Sequence, residues 1–321
     1  MPSMLVSNIV AAVAAAAVTN VQPPAGQAWV IYEVAALEAV GFVGAIPDLS
    51  YAIADGVLTA AIIVIDPTTE SQKGDRAKEI YITNANYLVI TNTGANPAGV
   101  GWTGERVDPN IVITDMVTCP TGGLGYVDIR PPVGQTWRIT EIGSELYNGG
   151  DDHPELVIGI TDGALVASVI LREADHRAQY KAYDWIIDND IYLRVTNNAA
   201  ADVDFAYSGV LIAEEFIGSV QDVVGSATLD IQPPATQEWV ITEIAAETWA
   251  GVAPNGYPDI RVSLYDGATV SDILEEGAGV SLGWNRRLLL HVDNATYLRI
   301  TEVSAGNNEV GVLGYLKRSF S

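Results

Sequence analysis

Three stretches of this chain are near-copies of one another, and a repeat of that kind restricts the possible folds more than any single residue does. VQPPAGQAWVIYEV at 21–34, IRPPVGQTWRITEI at 129–142 and IQPPATQEWVITEI at 231–244 each run from a Pro-Pro turn straight into an apolar segment containing Trp. Further landmarks recur in the same order. Asp-Gly pairs fall at Asp55-Gly56, Asp162-Gly163 and Asp266-Gly267; a Tyr-Leu pair begins at Tyr87, Tyr192 and Tyr297; a glycine stands at Gly104, Gly209 and Gly314, the last two sets about 105 residues apart. A duplication that keeps several landmarks in order carries a whole supersecondary unit with it. The 321 residues therefore divide into three units, 1–107, 108–213 and 214–321. Each is the size of a domain, and the period is too long for a solenoid.

Within a unit the pattern is that of short strands. Leu49, Tyr51 and Ile53 alternate with Ser50, Ala52 and Ala54, and Ile260, Val262 and Leu264 alternate with Arg261, Ser263 and Tyr265. A period of two marks a strand with one buried face. The Asp-Gly pairs suit a type I′ hairpin, whose two central residues both need positive φ. YLVITN at 87–92, YLRVTN at 192–197 and YLRITE at 297–302 supply a later strand, and DFAYSGVLI at 204–212 a closing one. LVSNIVAAVAAAAV at 5–18 has no Lys or Arg before it and is too short to span a bilayer. Its place ahead of the first Pro-Pro motif makes it the first strand of unit 1. The count is seven or eight strands per unit with no helical periodicity, which predicts an all-β chain of three tandem β-sandwich domains. Pro-Pro before a Trp strand and a long variable middle favour the jelly roll among sandwiches. Few residues separate Gly104 from Asn110 or Gly209 from Val220, so the units are expected to hold fixed orientations.

Composition narrows the function. There are 40 acidic and 16 basic residues, a formal charge of −24. No basic face can be assembled to neutralise a phosphate backbone or an anionic membrane, so nucleic acid and membrane are excluded as partners. The chain is acidic, poor in Lys and rich in Ala and Val, and so resembles proteins of halophilic archaea and their viruses, in whose medium salt screens such self-repulsion. The plainer reading is an acidic extracellular protein. A single cysteine, Cys119, leaves no disulfide within the chain, so stability must come from cores and contacts between units.

The inventory for catalysis is thin. His153, His176 and His291 do not recur from unit to unit, and Cys119 beside Pro120 has no neighbouring base, which reads as a partly buried neutral thiol. Glu33, Glu141 and Glu243 do recur, with the parity of the motif's Trp and Ile, which predicts a carboxylate on the buried face. Asp48, Glu155 and Asp259 follow Pro47, Pro154 and Pro258. Calcium would need several such oxygens converging, and no D-x-D-x-D spacing occurs, so these are read as structural. Gly149-Gly150-Asp151-Asp152 reads as a solvated loop. Gly122, Gly123 and Gly125 lack the Lys and the helix of a phosphate cradle. The repeated Trp29, Trp137 and Trp239 are read as core anchors. Trp102, Trp185, Trp249 and Trp284 occupy different places in the units and are the candidates for ligand contact. No catalytic, cofactor-binding or metal-binding residue is assigned.

Taken together, the Pro-Pro/Trp motif, the Pro-acid step before Asp-Gly, the Tyr-Leu strand and the closing glycine strand resemble small β-sandwich proteins on the surface of tailed-virus particles. Those proteins decorate capsids or form turrets and tail appendages. The resemblance implies a non-enzymatic virion protein without cofactor, a homo-oligomer, most often a trimer, partnered by itself and by major capsid or other virion proteins. With the acidic charge it points to a virus of a halophilic archaeon. Unit 1, the most apolar and least charged, is the expected contact-making end. The alternative is a host-surface glycan-binding module of a tail or spike, which should show equivalent aromatics in the same loop of each unit.

Overall fold

In the computed structural model the described residues are 4–38, 49–65, 79–121, 125–146, 156–171, 184–198, 200–224, 227–248, 260–275, 289–303 and 307–319. The alternating segments form strands throughout. In unit 1 these are β1 (Met4–Val13), β2 (Val18–Val21), β3 (Ala28–Glu38), β4 (Leu49–Ala54), β5 (Thr59–Ile65), β6 (Ile80–Thr83), β7 (Tyr87–Asn92) and β8 (Ala98–Val107). Unit 2 follows with β9 (Val112–Cys119), β10 (Tyr126–Ile129), β11 (Thr136–Leu146), β12 (Leu156–Thr161), β13 (Val166–Leu171), β14 (Trp185–Ile187), β15 (Tyr192–Asn197) and β16 (Val203–Ile212). Unit 3 has β17 (Phe216–Val224), β18 (Thr228–Ile231), β19 (Gln237–Thr248), β20 (Ile260–Tyr265), β21 (Val270–Glu275), β22 (Leu290–Asp293), β23 (Tyr297–Glu302) and β24 (Asn307–Ser319).

Each set of eight pairs into two antiparallel four-stranded sheets, with strands in the order 1-8-3-6 in one and 2-7-4-5 in the other. Two nested Greek keys produce that order, and it makes each sandwich a jelly roll. The chain is all-β among the described residues, three such sandwiches in tandem. LVSNIVAAVAAAAV does supply a first strand, β1, despite its alanines. Each sandwich has its own core, with Leu49, Ile53, Leu88 and Ile90 central in unit 1, Ile158, Trp185, Leu193 and Phe205 in unit 2, and Ile260, Val262, Leu298 and Ile300 in unit 3.

The Pro-Pro motif is a clamped turn. The Gln27 N–H donates to the Pro24 carbonyl, Gln135 to Pro132 and Gln237 to Pro234, at 3.0, 3.0 and 2.9 Å. Gly26 and Gly134 hold the third turn position at positive φ, as a type II turn requires, whereas Thr236 fills it without one. A reciprocal pair of hydrogen bonds then ties the motif to the turn after the sixth strand. Asn84 Nδ2 donates to the Pro23 carbonyl, Asn189 to Pro131 and Asn294 to Pro233. Gln22, Arg130 and Gln232 donate back to the carbonyls of those asparagines.

Three expectations are corrected. The Asp-Gly turns are not type I′: positive φ falls on Gly56, Gly163 and Gly267 alone. The aspartate acts through its side chain instead, Asp55 Oδ1 accepting the N–H groups of Val57 and Leu58 at 2.7 Å each, and Asp162 and Asp266 repeating the arrangement. The repeated Trp29, Trp137 and Trp239 pack against their cores, but from the margins and only partly buried, while among the described residues the fully buried tryptophan is Trp185. Glu33, Glu141 and Glu243 do not face their own cores. A β-bulge interrupts the register after Ile31, Ile139 and Ile241, so one extra residue intervenes and the glutamate turns to the outer face of the sheet, opposite Thr103, Ser208 and Leu313.

The same bulge explains the third repeated glycine. Gly104, Gly209 and Gly314 stand beside it on strand 8, where a Cβ would collide with the backbone carbonyl of Val30, Arg138 or Val240. Only glycine lets the two backbones come this close. Substituting Gly209→Ala, and equally Gly104→Ala or Gly314→Ala, is expected to destabilise the affected unit by about 1–3 kcal/mol, the usual cost of overpacking. The urea-unfolding midpoint measures it, and an unchanged midpoint would show that the bulge relaxes freely.

Candidate functional site

Each jelly roll ends on one side in two edge strands, the fifth of one sheet and the sixth of the other. Along that side the sandwich is open, exposing unpaired backbone groups and the flank of its core. In unit 1 the opening is closed by unit 2. Met116 and Ala206, which point outward from the sheet β9-β16-β11-β14, are 7% and 0% exposed and belong to the unit 1 core. The edge backbone of β6 is satisfied there too. The Tyr81 N–H donates to Ser208 Oγ at 2.6 Å, and that hydroxyl donates to the Tyr81 carbonyl at 2.9 Å. Thr140 Oγ1 donates to the Glu79 carbonyl at 2.6 Å, and Asn86 Nδ2 to the Thr114 carbonyl at 2.8 Å.

Charge is settled locally at this joint. The Arg138 guanidinium bonds to Asp184 of its own unit and lies 3.6 Å from Glu79 of unit 1. Burial works against its charge, but these carboxylates outweigh that and raise its pKa. The phenol of Tyr81 is pushed up to about 12 by burial and by the adjacent Glu79.

The second joint has the same plan. Val220, Ala245 and Leu313, on the outer face of unit 3's sheet β17-β24-β19-β22, belong to the unit 2 core. Gly311 lies against Ala167 and Ile160, where a Cβ would sit 3.1 and 3.2 Å from their Cβ atoms. The edge strand β13 is capped differently: the Val166 N–H donates to Glu309 Oε2 at 2.9 Å. The positions correspond, since Ala206 and Gly311 both lie three residues before the repeated glycine, and Ser208 and Leu313 one before.

Burial along strand 8 records this covering. In β8 buried residues alternate with partly or fully exposed ones, while in β16 eight consecutive residues are buried. Glu33 is accordingly exposed, whereas Glu141 and Glu243 are each 2% exposed beneath the preceding unit. A trace of this was available in the sequence, because a strand covered on both faces reads mostly apolar or small, as VDFAYSGVLI does apart from Asp204.

The remaining candidates do not converge. Cys119 is buried with its Sγ 3.5 Å from the Val195 carbonyl, and burial pushes its thiol up to about 11. His291 is on β22, its Nδ1 3.0 Å from Lys317 Nζ and 3.5 Å from Glu238 Oε1. Trp102 and Trp185 are in the cores of units 1 and 2, which removes both from the candidates for ligand contact. Trp249 and Trp284, His153 and His176, Asp48, Glu155 and Asp259, Gly122 and Gly123, and Gly149–Asp152 lie outside the described residues. Among the described residues no group of three or more His, Cys, Asp or Glu is placed to hold a metal ion. The asparagine clamp and the joint residues Met116, Thr140 and Ser208 were not singled out from the sequence.

Two outcomes follow from this geometry. Met116→Ala is expected to cost about 2–5 kcal/mol, as a core truncation does, although Met116 points away from its own sandwich. Hydrogen exchange should quicken in β5 and β6 of unit 1, and acceleration confined to unit 2 would contradict the joint. Cys119 should resist a thiol reagent at pH 8 until the chain unfolds, and rapid native labelling would contradict its burial.

No protein-family model matches the chain, and no curated protein matches it. Among solved structures it is similar to a chain described under the triple jelly roll fold and turret assembly in an archaeal virus. That likeness has 13% identity and a TM-score of 0.20, covering 98% of this chain and 82% of that one. It is also similar to a chain from the atomic structure of Sulfolobus turreted icosahedral virus, at 13% identity and a TM-score of 0.21, over 98% and 83% of the two chains. The jelly-roll assignment rests on strand order and not on these likenesses.

Proposed function

We propose that this chain is a structural protein of a virus particle, a homo-oligomeric capsid decoration or turret protein that stabilises or extends the particle surface. The observation that carries the reading is a repeated architecture without repeated chemistry. Three jelly rolls share core and turn clamp and are linked by two joints of one plan, while the histidines, the cysteine and the variable tryptophans share no place in the units. Function belongs to sites and surfaces rather than to folds. The feature this chain builds three times over is a framework, and what it duplicates between units is a packing surface. Its partners are further copies of itself, as a trimer, and the major capsid or other virion proteins. The charge of −24 fits the virus of a halophilic archaeon, because screening at multimolar salt removes the repulsion between such acidic copies.

Light scattering on the purified chain tests this reading. The Debye length falls from about 10 Å at 0.1 M salt to about 3 Å at 1 M. A trimer or other closed ring is expected to appear or tighten as salt rises. A monomer at both extremes would overturn the self-assembling scaffold.

A further inference from the structure

The two joints inside the chain use two kinds of surface, and among the described residues one surface of each kind stays uncovered. Among the described residues, none covers the open edge of unit 3 as unit 2 covers that of unit 1 and unit 3 that of unit 2. Ile273 and Leu290 stand where Ile62 and Ile80 of unit 1 are 4% and 1% exposed, yet they are only partly buried against the unit 3 core. Val270 and Leu289 beside them are 50% and 59% exposed. The cores of units 1 and 2 each draw residues from the following unit, and the core of unit 3 draws none.

The outer face of the sheet β1-β8-β3-β6 is the face of its kind that the described residues leave uncovered. Thr103 is exposed and Gly101 partly so. By register they occupy the places of Ser208 and Ala206 in the first joint and of Leu313 and Gly311 in the second. Ser7 opposes Thr103 as Thr114 opposes Ser208. The face thus keeps the small and hydroxyl-bearing residues by which the covered face of unit 2 admits an edge strand. It also exposes apolar surface, with Leu5 at 79% and Tyr32 at 36%.

We propose that a second copy of this chain seats its unit 1 face on the open edge of unit 3, repeating between molecules the joint each molecule makes twice within itself. Such a contact is heterologous, so it closes into a ring when the rotation returns on itself and otherwise extends as a filament. Both surfaces carry acids, Glu33 and Glu105 on one and Asp272 and Asp293 on the other, with Lys317 and His291 beside the second. The contact therefore strengthens as salt screens the acids. The identity of the partner rests on the self-assembling reading above; the open edge and the uncovered face do not.

Two variants of the full chain test the proposal by light scattering in multimolar salt. Thr103→Glu blocks the face and Leu289→Glu blocks the edge; both positions are exposed, so each variant keeps its fold, which circular dichroism verifies. Each alone should associate about tenfold or more weakly than the unaltered chain, because a further carboxylate is buried against surfaces that are already acidic. Mixed one to one they should form dimers and stop there, since each retains the surface the other needs. If both variants assemble like the unaltered chain, the proposed contact is wrong while self-assembly stands. If the variants and their mixture all remain monomeric, the contact is not head-to-tail. If the unaltered chain itself is monomeric at every salt concentration, this proposal and the self-assembling reading fall together.

Discussion

Everything about the arrangement of this chain depends on one constraint: a jelly roll is open along its fifth and sixth strands, and the opening has to be closed. The two sheets meet there only through edge strands, which leave backbone donors and acceptors free and the flank of the core wet. The chain closes the openings of units 1 and 2 with the broad outer face of the next unit. The cost of the exposed edge is thereby removed twice over, by apolar contact from Met116, Ala206, Val220 and Leu313 and by side chains that hydrogen-bond the edge backbone. Cores that continue across a boundary couple the units, because removing one unit would expose the flank of the other.

A second device lets one sheet serve two cores. Strand 3 carries a bulge in every unit, and strand 8 carries the glycine that lets the two backbones approach beside it. A bulge adds one residue and increases local twist. Here it moves a glutamate from the inner face to the outer one. In unit 1 that carboxylate meets water, while in units 2 and 3 it is covered. Identical motif positions thus have different surroundings according to what precedes them in the chain.

The acidic surface and the joints act at different ranges. Charge repulsion extends over a Debye length and weakens with salt, whereas the joints work through direct contact and are largely indifferent to it. A chain with 40 acidic residues can therefore hold its internal joints by direct contact. Only contacts between separate, like-charged molecules respond strongly to the salt around them.

The sequence by itself determined the strands, to within one per unit, and the turns that join them. Alternation in LSYAIA, the turn chemistry of Asp-Gly and Pro-Pro, and the rhythm of landmarks are all local, encoded within about ten residues, and local structure follows from them. The same locality is why Glu33, Glu141 and Glu243 were assigned to the wrong face. Parity counts residues, and a bulge that inserts one is fixed by pairing with a distant strand. Trp185, set aside as a possible ligand contact, is core for a similar reason: the packing of β14 on β11 decides what covers it. Only the tertiary structure decided which sheet faces are covered, since Gly101, Ala206 and Gly311 are nearly the same residue in the same register and differ in whether another unit lies over them. Burial on an outer face belongs to pairs of units, and no single stretch of sequence contains a pair.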